Sequence, residues 1–233
     1  MNVLGLDTCF PALGVAVGVA LGTPSARILS RIEPMATGHA ERLFPLISEL
    51  LAEATLSTGD LDRIAVTIGP GSFTGTRIGV AAARAFKFAR NLPIVPFTSL
   101  EAIALSPRIE SGSAEDLAVA IDAHRGEAYV QIFDGVTRAP VTEPRIVSIS
   151  DLGSLARSRP LFVVGTAAEA FAAAVNAVGG SVRAHPGMLF PDMAAAVRCA
   201  ATRHPATLPV EPLYLRPPDA KPQEGKSLER SGA

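Results

Sequence analysis

Residues 69–79 read Gly-Pro-Gly-Ser-Phe-Thr-Gly-Thr-Arg-Ile-Gly and stand between a β-branched apolar run, Ile64 to Ile68, and an alanine-rich stretch of helical composition. A strand that passes at once through such a turn into a helix commits the chain to an α/β architecture. Gly69, Gly71 and Gly75 permit positive φ and close backbone approach, Pro70 fixes one dihedral, and Thr74 is the expected N-cap of a helix running to about Phe88. Two readings of the turn stand. In one, backbone N–H groups and the helix dipole hold a phosphate or carboxylate, with Gly69, Gly71, Ser72, Thr74 and Arg77 around it; in the other it is a tight strand-to-helix turn. Neither standard nucleotide code fits. A Gly-x-Gly-x-x-Gly begun at Gly69 needs glycine where Thr74 stands, and no Gly-Lys-Ser/Thr follows. A Walker-type ATPase and a dinucleotide oxidoreductase are both disfavoured.

The pattern around the junction predicts a strand over 3–7, a turn at Pro11, a second strand over 13–21 and a third near 27–32. A helix follows over 37–54, with Leu43, Ile47, Leu50 and Ala54 on one face and Phe44 and Leu51 on a neighbouring one; Pro45 either kinks it or marks where its regular part begins. With strands at Ile64 and over 93–97, the order is βββαβαβ. The second half restates the first: a strand over 117–122 ending in aspartate, a turn at 124–126, a return strand over 128–133, a strand over 161–164 reaching Gly165, and a helix over 167–178. A duplicated α/β unit is expected, as an N-terminal lobe over 1–103 and a smaller C-terminal lobe over 104–216. The latter holds a further helix over 191–203, and a disordered tail follows over 217–233.

Composition narrows the function classes. The 233 residues are 48% hydrophobic and 18% charged, enough for a full core. The longest apolar stretch, Ala12 to Leu21, is too short to cross a bilayer, and Asp7 stands early with no basic segment before it, so a soluble cytoplasmic protein is expected. Cys9 and Cys199 lie far apart and read as core thiols. A net charge of -1 without a basic run, and only ten Phe and two Tyr, disfavour direct nucleic-acid binding.

Five segments in order carry a resemblance: Leu-Gly-Leu-Asp-Thr at 4–8, Gly-His-Ala-Glu-Arg-Leu-Phe-Pro-Leu-Ile at 38–47, the junction at 69–79, Ala-Ile-Asp-Ala-His-Arg-Gly-Glu-Ala-Tyr at 120–129 and Glu-Pro-Leu-Tyr-Leu-Arg at 211–216. Two lobes opening with strands that end in Asp7 and Asp122 resemble the actin-like ATPase fold of sugar kinases and Hsp70 chaperones. More narrowly, the five segments resemble the TsaB family, once called YeaZ, of bacterial tRNA threonylcarbamoyladenosine biosynthesis proteins. The resemblance implies a duplicated actin-like (RNase H-like) fold and a role in placing a threonylcarbamoyl group on the adenosine beside the anticodon. It implies no independent catalysis and no cofactor. In the family picture TsaD transfers the group, TsaE supplies a P-loop ATPase within a larger complex, TsaC makes the adenylate, and a TsaB chain is the heterodimer partner of TsaD. The tRNA is then met only indirectly, and a homodimer through the same patch competes.

TsaD-like proteins hold a metal with a helical His-x-Glu-x-His, and the equivalent here is Ser99-Leu-Glu101-Ala-Ile103, whose serine and isoleucine supply no imidazole. No metal site is expected. Asp7 and Asp122 take positions where actin-like ATPases hold magnesium, although a carboxylate capping a turn is the favoured reading of each. His39, after Gly38, is expected to cap a helix or touch a partner. The family's partner surface is expected on the two helices of the first lobe: Phe44 and Leu51 on the first; the small stripe Gly75, Gly79, Ala83 and the wider face Ile78, Ala82, Phe86 on the second. Both stripes are ordinary core in the plainer reading. Arg77, in a first helical turn that disfavours a cation, calls for something negative: a partner carboxylate, a phosphate, or a surface pair with Glu41 or Glu53. The competing function is a small actin-like ATPase or hydrolase working through Asp7, the glycine junction and Asp122.

Overall fold

Strand β1 (Val3–Phe10) is buried at every position, because its sheet is covered on both faces. The structure, a computed structural model, describes residues 1–109, 115–157, 160–185 and 190–216; the tail expected over 217–233 lies outside them. β1 pairs antiparallel with β2 (Ala12–Val19), which pairs antiparallel with β3 (Arg27–Pro34). On its other side β1 runs parallel to β4 (Arg63–Thr67), and β4 to β5 (Ile94–Phe97). Between β3 and β4 lies α1 (His39–Ala54), and between β4 and β5 lies α2 (Phe73–Arg90). Leu43, Leu46, Ile47, Leu50 and Ala54 recur at helical spacing and pack α1 onto Leu4, Leu6, Val15 and Val17. The helix continues through Pro45, whose missing N–H falls on an exposed face.

A short helix, α3 (Ser99–Ala104), leads to the second sheet: β6 (Asp116–Asp122), β7 (Glu127–Phe133), β8 (Arg145–Ser148), β9 (Leu161–Val164) and β10 (Arg183–Ala184). The orders β3-β2-β1-β4-β5 and β8-β7-β6-β9-β10 are the same meander flanked by the same two parallel strands. The anticipated duplication is real, and each sheet defines a lobe, I and II. Strand β8 and the 3₁₀ helix after it (Ile149–Arg157) were not anticipated; four residues make β8 a short signal, but Ile149, Leu152 and Ala156 recur at helical spacing and could have marked the helix. In lobe II the 3₁₀ helix stands where lobe I has α1, and α4 (Ala168–Ala177) where it has α2.

The terminal helices are exchanged. Leu100, Ile103 and Ala104 of α3, which follows the lobe I strands, pack among Leu117, Val119, Ile121 and Phe133 of lobe II. Met193, Ala196, Val197 and Ala200 of α5 (Met193–Ala200), which follows the lobe II strands, pack among Val3, Ala16, Ala65 and Val95 of lobe I. Each lobe thus closes the second face of the other's sheet. No helix among the described residues is long and apolar enough to cross a membrane.

Candidate functional site

The glycine junction lies against the far end of β1. Ser72 donates its N–H to the Cys9 carbonyl at 2.8 Å, and a Cβ at Gly71 would stand 2.4 Å from that same oxygen. One turn on, a Cβ at Gly75 would come within 2.0 Å of the Thr8 carbonyl, and one at Gly79 within 2.6 Å of Thr8 Oγ1. Thr8 Oγ1 donates to the Gly75 carbonyl at 2.6 Å. These glycines are therefore required by the crossing of α2 over its own strand. Ser72, not Thr74, is the N-cap: its Oγ accepts the Gly75 N–H, and Thr74 stands exposed in the first turn. Gly69, with φ near 102°, turns the chain so that its carbonyl accepts the Ser99 N–H at 2.7 Å.

Above the junction a cleft of about 530 Å³ opens between the lobes, walled by Phe10, Ser72 and Phe73 on one side and by Asp122, His124, Tyr129 and Thr166 on the other. Arg216 closes one end, ion-paired with Glu127. Asp7 is not part of this wall. Strand β1 runs on to Phe10, through a register shift between Asp7 and Phe10, and leaves the carboxylate 1% exposed beneath it. Asp7 Oδ1 accepts Thr67 Oγ1–H at 2.5 Å and the Cys9 N–H at 3.2 Å. Burial raises its pKa to about 6, against the opposing pull of those hydrogen bonds. Burial and the neighbouring Asp7 charge together push the Cys9 thiol up to about 12, which leaves it a poor nucleophile. Asp122 Oδ1 accepts the N–H of His124, a turn residue at φ 60°, at 2.8 Å. Both aspartates thus bond the backbone two residues ahead, as turn-capping carboxylates do.

These residues do not fit a magnesium-bound nucleotide, since one carboxylate is sealed under its own strand and the other is engaged by its own turn. At the segment equivalent to the TsaD ligands, Ser99 and Ile103 are fully buried and Glu101 is ion-paired with Arg203 at 2.5 Å. Among the described residues no group of three His, Cys, Asp or Glu is placed to hold a metal ion.

The helices of lobe I present a different outer surface from the one expected. The stripe Gly75, Gly79, Ala83 faces inward against β1 and the core, so it cannot receive a partner helix. His39 is likewise turned in, 8% exposed, its Nε2 2.9 Å from the Phe10 carbonyl, tying the start of α1 to the end of β1. Leu51, Ala82 and Phe86 are buried where α1 meets α2. What remains outside is Phe44, half exposed and stacked on Phe86 at 6.2 Å, with partly buried Ile78, exposed Ala81 and Ala85, and Phe88 at 94% exposure. Sequence reasoning missed Ala81, Ala85 and Phe88. Their 3-4-3 spacing from Ile78 was the available signal, masked by the more conspicuous glycine repeat. Among the described residues Arg77 meets no carboxylate: its guanidinium stacks 3.7 Å over Phe73 and its Nε–H donates to Tyr214 Oη at 2.8 Å. Glu53 is paired with Arg31, and Tyr214 is held nearby because Leu213 N–H donates to the Ile68 carbonyl.

Comparison with known proteins decides the family. The sequence model described as TsaD, tRNA N6-adenosine threonylcarbamoyltransferase, matches residues 31–207. The tRNA threonylcarbamoyladenosine biosynthesis protein TsaB of Haemophilus influenzae is 31% identical over 199 residues, covering 76% of this chain and 80% of that protein. This chain belongs to the TsaB family. An uncharacterized protein of Mycobacterium tuberculosis is 35% identical over 222 residues, 95% of this chain and 94% of its own length. The solved structure of YeaZ from Pseudomonas aeruginosa superposes with a TM-score of 0.69 at 27% identity, over 86% of this chain and 91% of that one. A second Pseudomonas aeruginosa structure, described as similar to peptidase YeaZ, gives 0.75 at 26% identity, over 92% and 99%. The fold is accordingly the duplicated actin-like fold of the TsaB family.

Proposed function

We propose that this TsaB-family chain serves tRNA threonylcarbamoyladenosine biosynthesis in the cytoplasm as a noncatalytic subunit. It binds and activates a TsaD paralogue, TsaE joins the larger complex, and tRNA is met only through them. In this reading residues 1–103 and 104–216 are the two working lobes, and the docking surface is the outer layer of α1 and α2. The observation that carries it is Phe88, an aromatic side chain 94% exposed in line with Ile78, Ala81 and Ala85, together with half-exposed Phe44 on α1, on helices whose inner faces already fill lobe I. An apolar row of this kind at coiled-coil spacing is suited to a second helix pair, and aromatic anchors dominate such contacts. A second copy of the chain can use the same row, since twofold pairing of one patch is the commonest route to a dimer.

The test is co-purification with the TsaD of the same organism. Phe44→Glu and Phe88→Glu are expected to weaken the complex about a hundredfold or more while the isolated chain keeps its melting temperature. Undiminished complex formation by the double variant places the interface elsewhere. Purified chain alone is expected to show no ATP turnover that differs between wild type and Asp7→Asn; turnover abolished by that change restores the ATPase reading.

A further inference from the structure

On the face of the lobe I sheet opposite α1 and α2 lies a cavity of about 630 Å³, between the β3 edge, the turn after α3, and α5. Helix α5 is eight residues long and covers the middle of the sheet, leaving Ile32 of β3 39% exposed beside Ser30. Ile32, Leu105, Met193 and Phe190 give the cavity apolar walls, and Arg108 and Arg198 stand among its lining residues. Among the described residues neither of these guanidinium groups has a hydrogen-bonding or ion-pairing partner. Several other arginines of the chain are matched, Arg42 to Glu33 and Glu49, Arg183 to Glu115, Arg203 to Glu101, and Arg31, at the cavity edge, to Glu49 and Glu53. Asp192, the one acidic residue in the lining, does not answer them. Its Oδ1 accepts the Ala195 N–H and its Oδ2 accepts Ser106 Oγ–H, both at 2.9 Å, so it caps α5 and anchors the turn after α3.

We propose that this cavity binds a small amphipathic anion, an apolar or aromatic body bearing a phosphate, sulfonate or carboxylate. The volume falls in the range of pockets that enclose a ligand of drug or cofactor size. The planar guanidinium groups match an oxyanion, and the apolar walls match a ring or short chain. The inference does not depend on the subunit role, because the site lies across the sheet from the docking helices.

Cys199 lines the same cavity and is partly exposed, whereas Cys9 is buried, its thiol pushed up to about 12. Maleimide labelling of the full chain therefore reports on Cys199. The probe is 8-anilinonaphthalene-1-sulfonate, with uncharged N-phenyl-1-naphthylamine as its control. The sulfonate is expected to bind saturably and slow Cys199 labelling about tenfold, and the uncharged ring to protect little. Arg108→Gln combined with Arg198→Gln should weaken binding about tenfold or more at unchanged melting temperature, and Arg198→Lys should lose less. Labelling that saturating sulfonate does not slow, or equal affinity in the double glutamine variant, overturns the proposal. So does an acidic peptide that protects Cys199 better than the sulfonate, since the site would then take a protein segment.

Discussion

Lobe I covers one face of its sheet with α1 and α2, helices of 16 and 18 residues, where lobe II covers the same strand order with a nine-residue 3₁₀ helix and the ten-residue α4. At 1.5 Å per residue α2 is about 27 Å long, and it lies over both the eight-residue β1 and the five-residue β4. Phe86, in the last turns of α2, is buried in the core, and Phe88, two residues on, points to the opposite side of the helix, where it lines a shallow hollow with Thr207, Pro209 and Val210. At about 15 Å, α4 matches its strands, and its one large inward side chain, Phe171, is wholly buried. A large apolar side chain on the outward side of a long helix thus separates lobe I from lobe II, whose α4 keeps its one large side chain inward.

The comparison breaks most visibly at the strand-to-helix crossings, where the two lobes use one device. A Cβ at Gly165 would lie 2.3 Å from the Ala120 carbonyl, as one at Gly75 would lie 2.0 Å from Thr8, and in each case the obstacle is backbone. Gly75→Leu is expected to yield no folded protein, and Gly75→Ala and Gly165→Ala to cost about 3 kcal/mol or more each by urea denaturation. A Gly165→Ala loss below about 1 kcal/mol shows that the crossings are not mechanical equivalents. Next in size, Phe171→Ala is expected to cost about 3–5 kcal/mol, because α4 has no second large side chain to close the gap. Phe86→Ala, at a site 9% exposed beside half-exposed Phe44, should cost less.

The paired aspartates sharpen the contrast through pH. The pKa of Asp7 rises from 3.8 to about 6 on folding, so folding favours its protonated form. Its stabilising contribution is then full below pH 3.8 and is lost as pH climbs through about 6, a difference of about 3 kcal/mol at the quoted shift. Asp7→Asn should remove that slope, gaining on wild type between roughly pH 4 and pH 6.5 in parallel thermal melts. Asp122, half exposed on its turn, should give an Asn variant within about 0.5 kcal/mol of wild type at neutral pH. A wild-type melting curve flat across that window, indistinguishable from Asp7→Asn, removes the contrast.

Strand order and duplication were legible because apolar runs, glycine turns and helical periods agree along the chain. The exchange of α3 and α5 was not, since a helix of six or eight residues carries no sign of which sheet will receive it. The glycine stripe misled for a physical reason: small residues every four positions permit close approach equally to a foreign helix and to the chain's own strand. Only the 2.0 Å and 2.6 Å distances at Gly75 and Gly79 tell the two apart. Asp7 was expected at a strand end beside a turn, but β1 runs three residues past it, and that extension buries it. Arg77 was expected to find an anion, and an aromatic pair from segments 137 residues apart supplied its partner instead.

That aromatic pair sets a smaller effect. Tyr214→Phe removes the acceptor of the Arg77 Nε–H and keeps the ring at 5.3 Å from Phe73, so a loss of about 0.5–1 kcal/mol is expected. The smallest effect belongs to the surface itself. Phe88 on α2 and Val178 at the end of α4 are both exposed, 94% and 50%, and both to Ser should leave the melting temperature of the isolated chain within about 0.5 kcal/mol equivalent. If the outward side of α2 is what makes lobe I the associating lobe, sedimentation at rising protein concentration should separate them: Phe88→Ser abolishes any self-association, and Val178→Ser leaves it intact. Equal loss in both variants means that exposed apolar area alone, wherever it lies, drives association; the asymmetry between the lobes would then lie in stability only.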